Sequence, residues 1–201
     1  YGLVVTGRVE KDNLTLNSTA KAGDVLILTK PLGLGIISTA IKKDKSPDFI
    51  VDEAVKTMTH LNKGAAEAMN AIGVHACTDV TGYGLLGHLL EMCQASEVSA
   101  TLEFNTIPLI QGVYELAQKG FVPGGTKRNM DYVSSHVNFS KTLSKEQQYL
   151  LADAQTSGGL LISVAKEKVQ DLQNLLNENG CLTSSIIGNV YNPAEFSIFV
   201  D

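Results

Sequence analysis

The sequence predicts an α+β fold, a sheet covered by helices, and three observations predict it. Short apolar runs bounded by turn residues alternate along the chain with segments of helical periodicity. That alternation argues for a sheet with helices laid on it. With 201 residues, 44% of them hydrophobic, the chain can build one good-sized core, or one domain plus an appendage. No internal repeat and no low-complexity tract suggests a solenoid or a disordered segment.

The elements follow in order. Residues 3–9 are Val-rich and strand-like, and the polar run KDNLTLNSTAKAGD reads as a linker over about 10–24. Val25 to Thr29 is a short buried strand. Pro31 holds Lys30 extended and opens a helix near 32–41. After a charged loop with Pro47, the residues Val51, Ala54, Val55, Met58, Leu61, Ala65, Met69 and Ile72 form one apolar stripe, which predicts a single long helix closed by Gly73. A strand ending in Asp79 leads to a helix over 84–95 with Leu85, Leu86, Leu89, Leu90 and Cys93 at helical spacing. A strand near 99–104 precedes a helix at about 108–119 that Gly120 terminates. Residues 121–144 read as turn-rich and irregular, longer than most internal connections. A short helix at 145–151, the TSGG turn, a buried strand from Leu160 to Val164 and an amphipathic helix marked by Val169, Leu172 and Leu176 follow. Two strands, 184–191 and 196–200, flank the turn at Asn192-Pro193. The pattern leaves strand order open.

A net charge of −5 gives no electrostatic reason to bind nucleic acid or an anionic membrane. No apolar run is long enough to span a bilayer. Three cysteines at irregular spacing do not form a disulfide framework, which fits a reducing, cytoplasmic setting.

The most informative stretch is HACTDVTGYGLLGHLL, residues 75–90. Asp79 stands among Thr78, Thr81, Gly82 and Gly84, between a strand and a helix. A lone acid on a small-residue loop suits Mg²⁺, which takes oxygen donors and uses one or two carboxylates plus substrate phosphates and water. It also suits a cap for the helix that follows, and spacing alone favours the cap. Gly33-Leu-Gly35-Ile-Ile-Ser38 imitates a dinucleotide fingerprint, but no second strand ending in an acid follows, so it reads as a tight strand-to-helix turn. His75, Cys77 and Asp79 share one face of an extended strand, yet no further N or S ligand accompanies them, and they read as ordinary strand residues. His88 reads as a packing histidine. Residues 124–129, GGTKRN, read either as an anion-binding turn or as an exposed turn with solvated charges. Thr156-Ser157-Gly158-Gly159 reads as a structural turn.

ACTDVTGYGLLGHL (76–89) resembles the central motif of the selenophosphate synthetases, or selenide, water dikinases. GDVLILTKPLGLG (23–35), VPGGTKRN (122–129) and DAQTSGGLLI (153–162) match the same family in the same order, and YGLVVTGRV (1–9) resembles the strand that leaves its first domain. The resemblance implies a three-layer α/β/α sandwich with a mixed sheet, similar to the C-terminal domain of the aminoimidazole ribonucleotide synthetase superfamily. Residues 1–20 would be a remnant of the last strand of the ATP-binding N-terminal domain plus a linker, and 21–201 the C-terminal domain. The family makes selenophosphate, AMP and orthophosphate from ATP, selenide and water. The resemblance makes Asp79 a Mg²⁺ ligand and puts Thr78, Thr81 and Gly82 near the ATP. The family's nucleophilic cysteine or selenocysteine and its lysine belong to the N-terminal part, so no catalytic residue is assigned here, and Cys77, Cys93 and Cys181 do not replace them. The implied cofactor is Mg²⁺ and the substrates are ATP and selenide. The implied full-length protein is a cytoplasmic homodimer, and this stretch alone is expected to be inactive. Two alternatives stay open: another ATP-using enzyme of the superfamily, and a binding or regulatory homologue without catalysis.

Overall fold

The structure, a computed structural model, describes residue 4 and residues 6–201. The strand expected over 3–9 lies partly outside the described residues, and residues 6–9 carry no strand. Seven strands make one mixed sheet: β1 (Asp24–Leu28), β2 (Ala76–Asp79), β3 (Ser99–Leu102), β4 (Val137–Phe139), β5 (Leu160–Ala165), β6 (Ser185–Tyr191) and β7 (Ile198–Val200). Their order is β2-β5-β1-β6-β3-β7-β4. All neighbours are antiparallel except β3–β7 and β7–β4. The two closing strands therefore do not form a hairpin, because β3 lies between them.

The β1–β5 ladder runs without slippage from Asp24↔Ala165 to Leu28↔Leu161. Every residue of β1 is buried, the mark of a strand covered on both faces. Leu26 and Leu28 join the larger core with Leu161, while Ile27 joins a second core with Ile162 and Val164 on the opposite face. On the first face lie α1 (Leu34–Ile41), α2 (Asp48–Thr59), α4 (Gly84–Ser96), α5 (Val113–Gln118), α6 (Gly124–Val133) and α7 (Lys145–Leu151). On the second lie α3 (Lys63–Ile72) and α8 (Val169–Glu178). Leu172 and Leu176 of α8 are fully buried there, each burial stabilising by about 1.5–3 kcal/mol. This third layer covers only the β2-β5-β1 end. Further along, β6 alternates buried and open positions, with Ile186 and Asn189 exposed.

Three departures from the sequence reading have identifiable causes. The single long helix over 51–72 is two helices, α2 and α3, because its stripe serves two cores. Ile50, Ala54 and Met58 pack on the first face, and Ala65, Ala68, Met69 and Ile72 on the second. His60, extended at φ −66° and ψ 126°, ends α2 without glycine or proline. The helix expected from 108 starts only at Val113, because Pro108 to Ile110 are spent pairing with Leu32: Leu32 N–H donates to Pro108 O (2.9 Å) and Ile110 N–H to Leu32 O (3.0 Å). The irregular stretch 121–144 holds α6 and β4. Two glycines and few apolar residues hide α6, whose inward positions Thr126 and Asn129 are polar.

Elsewhere local chemistry acts as expected. Ser144 and Gln147 form a reciprocal capping box on α7, and Gly73 closes α3 in the left-handed region. Residues 14–20 run beside the edge strand β2: Cys77 N–H donates to Leu16 O (3.0 Å), and Thr19 Oγ1 donates to His75 O (2.6 Å). They thereby shield an edge that would otherwise be open to pairing. No helix among the described residues is long and apolar enough to cross a membrane.

Candidate functional site

The four stretches singled out in the sequence come together at one end of the sheet. β2 ends in Asp79, whose carboxylate is exposed and has no hydrogen-bond or ion-pair partner among the described residues. The cap on α4 is Tyr83, four residues further on, with no side-chain cap, and Gly84 N–H donates to Thr81 O (3.0 Å). Asp79 is therefore not a helix cap, and the reading that spacing favoured is overturned.

The loop behind Asp79 is fixed from three directions. Val80 N–H donates to Gly159 O (2.8 Å) and Gln155 N–H to Thr81 O (2.9 Å). The Asn129 amide donates to Gly82 O (2.8 Å) and to Ala152 O (3.0 Å). Glycines permit the close approach: a Cβ on Gly84 would stand 2.6 Å from Ala152 O, and one on Gly158 would collide with Val80 O. Thr78 lies half-buried on β2, its hydroxyl donating to Asp79 O (3.3 Å). Thr81 Oγ1 and His88 Nε2 share a hydrogen bond of 3.1 Å, and His88 meets Tyr83 edge-on. Burial lowers the His88 pKa below the usual imidazole value, against the opposing pull of Asp79 and Glu91. So Asp79, Thr81 and Gly82 form one open patch of chain, Thr78 turns to the face of β2 opposite Asp79, and His88, read as packing alone, is hydrogen-bonded to Thr81.

Beneath this patch lies a buried carboxylate that sequence reasoning passed over. Asp153, 0% exposed, accepts hydrogen bonds from Gly35 N–H (2.9 Å) and Ile36 N–H (3.1 Å) at the start of α1, and from Thr126 Oγ1 (2.7 Å). Gln155 Oε1 accepts from Gly33 and Leu34 N–H (3.2 Å each), while its amide donates to Asp153 O (2.7 Å). The fingerprint-like glycines thus serve a carboxylate of the chain itself, consistent with a tight turn and not with a dinucleotide. A Cβ on Gly35 would stand 2.6 Å from Asp153 Oδ1. The only signal in the sequence was two polar residues, Thr126 and Asn129, three apart beside Met130 and Val133, which a helix would bring onto one face.

Burial pushes the Asp153 pKa up to about 6, with the Thr126, Ile36, Gly35 and Gln155 donors pulling the other way. Since this value stands above that of an unfolded aspartate, the group adds stability that is fully present below about pH 4 and lost as pH rises through about 6, about 3 kcal/mol in all. A carboxyl ¹³C titration is expected to find one aspartate with a midpoint near pH 6, absent in Asp153→Asn.

GGTKRN is the first turn and a half of α6, with Lys127 and Arg128 exposed and Thr126 and Asn129 turned inward, not a free loop. Lys30 is 1% exposed and donates to the carbonyls of Thr57 (3.1 Å), His60 (2.6 Å) and Ser157 (2.8 Å). His75 does not share a metal with Cys77 and Asp79: its Nδ1 lies 2.8 Å from Asp24 Oδ1. Among the described residues no group of three His, Cys, Asp or Glu is placed to hold a metal. Burial pushes the Cys77 and Cys93 thiols up to about 12, Asp79 adding to the effect on Cys77, so both stay protonated and unreactive at neutral pH.

The sequence model of the AIR synthase related protein C-terminal domain matches residues 21–201. The chain is 49% identical over 200 residues to a selenide, water dikinase of Caldanaerobacter subterraneus subsp. tengcongensis and 44% identical over 200 residues to that of Clostridioides difficile. In both cases all of this chain is covered but only 58% of the relative, so the chain spans little more than half their length. Its fold is similar to a thiamine-monophosphate kinase of Stenotrophomonas maltophilia (TM-score 0.66, 15% identity, 96% of this chain and 54% of that one). It is also similar to a hydrogenase maturation protein HypE in complex with ATP (TM-score 0.60, 16% identity, 92% and 48%).

Proposed function

The chain belongs to the AIR synthase related proteins, by their C-terminal domain, and on that premise we propose that it is part of a selenide, water dikinase to which it brings one carboxylate of a Mg-ATP site. The observation that carries this reading is the 44–49% identity to selenide, water dikinases along the whole chain. Because the chain spans 58% of those relatives, the reaction from ATP, selenide and water to selenophosphate, AMP and phosphate is assigned to the intact protein. The same proposal makes residues 1–20 the end of an ATP-binding N-terminal domain and its linker, although residues 14–20 themselves lie against β2. The cytoplasm and a homodimer belong to the same proposal.

The donor set fits Mg²⁺ in part. Asp79 offers an exposed carboxylate with no competing partner among the described residues, and a single protein carboxylate suffices where phosphates and water fill the remaining positions. It does not fit zinc, which needs more N or S ligands than stand here. Bound there, the ion supplies charge neutralisation over the phosphates. The chain's own part is to hold Asp79 still, through the ties on Val80, Thr81 and Gly82, and to set Thr81 and Gly82 next to it on the loop, with Thr78 preceding it on the strand.

The intact protein is expected to convert ATP to AMP and phosphate only when selenide is present, with selenophosphate visible by ³¹P NMR. Turnover indifferent to selenide would point to another ATP-using member of the family, and ATP binding without turnover to a homologue that has lost catalysis. Asp79→Asn in the intact protein should lower turnover about tenfold to a hundredfold, or some 1.4–3 kcal/mol, and raise the Mg²⁺ concentration required. Unchanged Mg²⁺ dependence would remove Asp79 from the metal.

A further inference from the structure

We propose that Asn129 is a positioning residue for Asp79, an inference that rests on the reading of Asp79 as a Mg²⁺ ligand. The Asn129 side chain is buried, and its one amide nitrogen uses both hydrogens, one on Gly82 O (2.8 Å) and one on Ala152 O (3.0 Å). It therefore pins the loop following Asp79 to the segment that carries Asp153 and Gln155. No other side chain offers two N–H groups on one atom at this reach without a charge: aspartate has none, serine and threonine offer a single O–H instead, and glutamine is a methylene longer.

The helix that carries Asn129 owes only Val133 and Met130 to the apolar core. It opens with Gly124 and Gly125, low in helix propensity, and two of its three buried residues are the polar Thr126 and Asn129. An apolar face would hold a helix of this length on the core at no risk of unpaired polar groups. The buried polar pair instead fixes where the helix sits, with Thr126 on Asp153 (2.7 Å) and Asn129 on Gly82. The ties that reach the loop from Asn129, Gln155 and Gly159 all fall on backbone at Val80, Thr81 or Gly82, and among the described residues none falls on the Asp79 carboxylate. The arrangement orders the loop while leaving the ligand oxygens free, as preorganised ion binding requires.

The test measures Mn²⁺ binding to the intact protein by EPR, in the presence of a non-hydrolysable ATP analogue, beside thermal unfolding. Asn129→Ala is expected to weaken Mn²⁺ about tenfold. Asn129→Ser, which keeps one hydroxyl donor and stands in should the alanine variant not fold, should weaken it about threefold. Thr126→Val breaks the neighbouring anchor of the same helix without touching the loop, and should lower the unfolding midpoint while leaving Mn²⁺ affinity within twofold of the parent. Asp79→Asn serves as the reference. If it leaves Mn²⁺ affinity unchanged, the reading of Asp79 fails and this inference with it. If it weakens binding but Asn129→Ser does not, or if Thr126→Val weakens it as much as Asn129→Ser, the positioning role alone is overturned.

Discussion

Asp153→Ala is expected to destabilise the domain by about 3–5 kcal/mol, whereas Asp153→Asn should cost about 1 kcal/mol or less. The alanine leaves Gly35 N–H, Ile36 N–H, the Thr126 hydroxyl and part of the Gln155 amide without their acceptor, in a site with no access to bulk water. Each buried donor so orphaned costs about 1–3 kcal/mol, and the start of α1 loses its only side-chain acceptor besides Gln155 among the described residues. Asparagine differs because its carbonyl oxygen can keep the two α1 donors, while the Thr126 hydroxyl can turn to accept from the new amide. It also removes the burial of a charge, which is why the two isosteres sit close in stability at neutral pH. Urea denaturation of the three proteins at pH 7 checks this, with the alanine midpoint falling by about 10 °C in a parallel thermal scan. An alanine variant no less stable than the asparagine variant would mean that the network contributes little.

That carboxylate also shows where the sequence was readable and where it was not. Elements with their own periodicity, such as α4 with its leucines or β5 with its apolar run, were legible because burial on one or two faces writes itself into residue type. The strand order β2-β5-β1-β6-β3-β7-β4 was not, since nothing local to β6 or β7 says that β3 will come between them. The break between α2 and α3 was hidden for a similar reason: a stripe shared by two cores looks like a stripe serving one. Of the candidate site, Asp79 and its small neighbours were visible as a motif whose spacing favoured a cap, a reading that the placement of Tyr83 at the start of α4 excludes. Asn129, Asp153 and Gln155 were beyond reach because a buried polar residue is indistinguishable from an exposed one until its partners, here 23 to 122 residues away, are placed.

Lys30 carries the second large effect, and it explains the break between α2 and α3. An ammonium has three protons and no acceptor, and this one is matched by three carbonyls, those of Thr57, His60 and Ser157. Thr57 and His60 lie where α2 ends, so their carbonyls belong to the unpaired groups of a helix C-terminus, and the cation also opposes the negative end of the helix dipole. Burial lowers the Lys30 pKa, but acceptors alone surround the nitrogen and keep it protonated. Lys30→Met has nearly the same length and restores none of these bonds. With charged hydrogen bonds at about 1.5–3 kcal/mol each, and partial relief from no longer burying a charge, the expected loss is about 3–5 kcal/mol. The loss should also be local before it is global. Amide hydrogen exchange across residues 57–62 should accelerate in Lys30→Met under conditions where β1 and β5 remain protected, because the lysine is the largest of the few ties that bind this turn from the side of the sheet, the others being Ser157, whose hydroxyl donates to Met58 O (2.8 Å), and Asn62, whose amide donates to Gly158 O (2.9 Å). Uniform acceleration over the whole chain would show instead that the turn opens only with global unfolding. The same geometry bears on function: a lysine spent on three backbone carbonyls under the TSGG turn is a structural cation, and the turn it holds supplies the Gly159 carbonyl that anchors Val80, the residue next to Asp79.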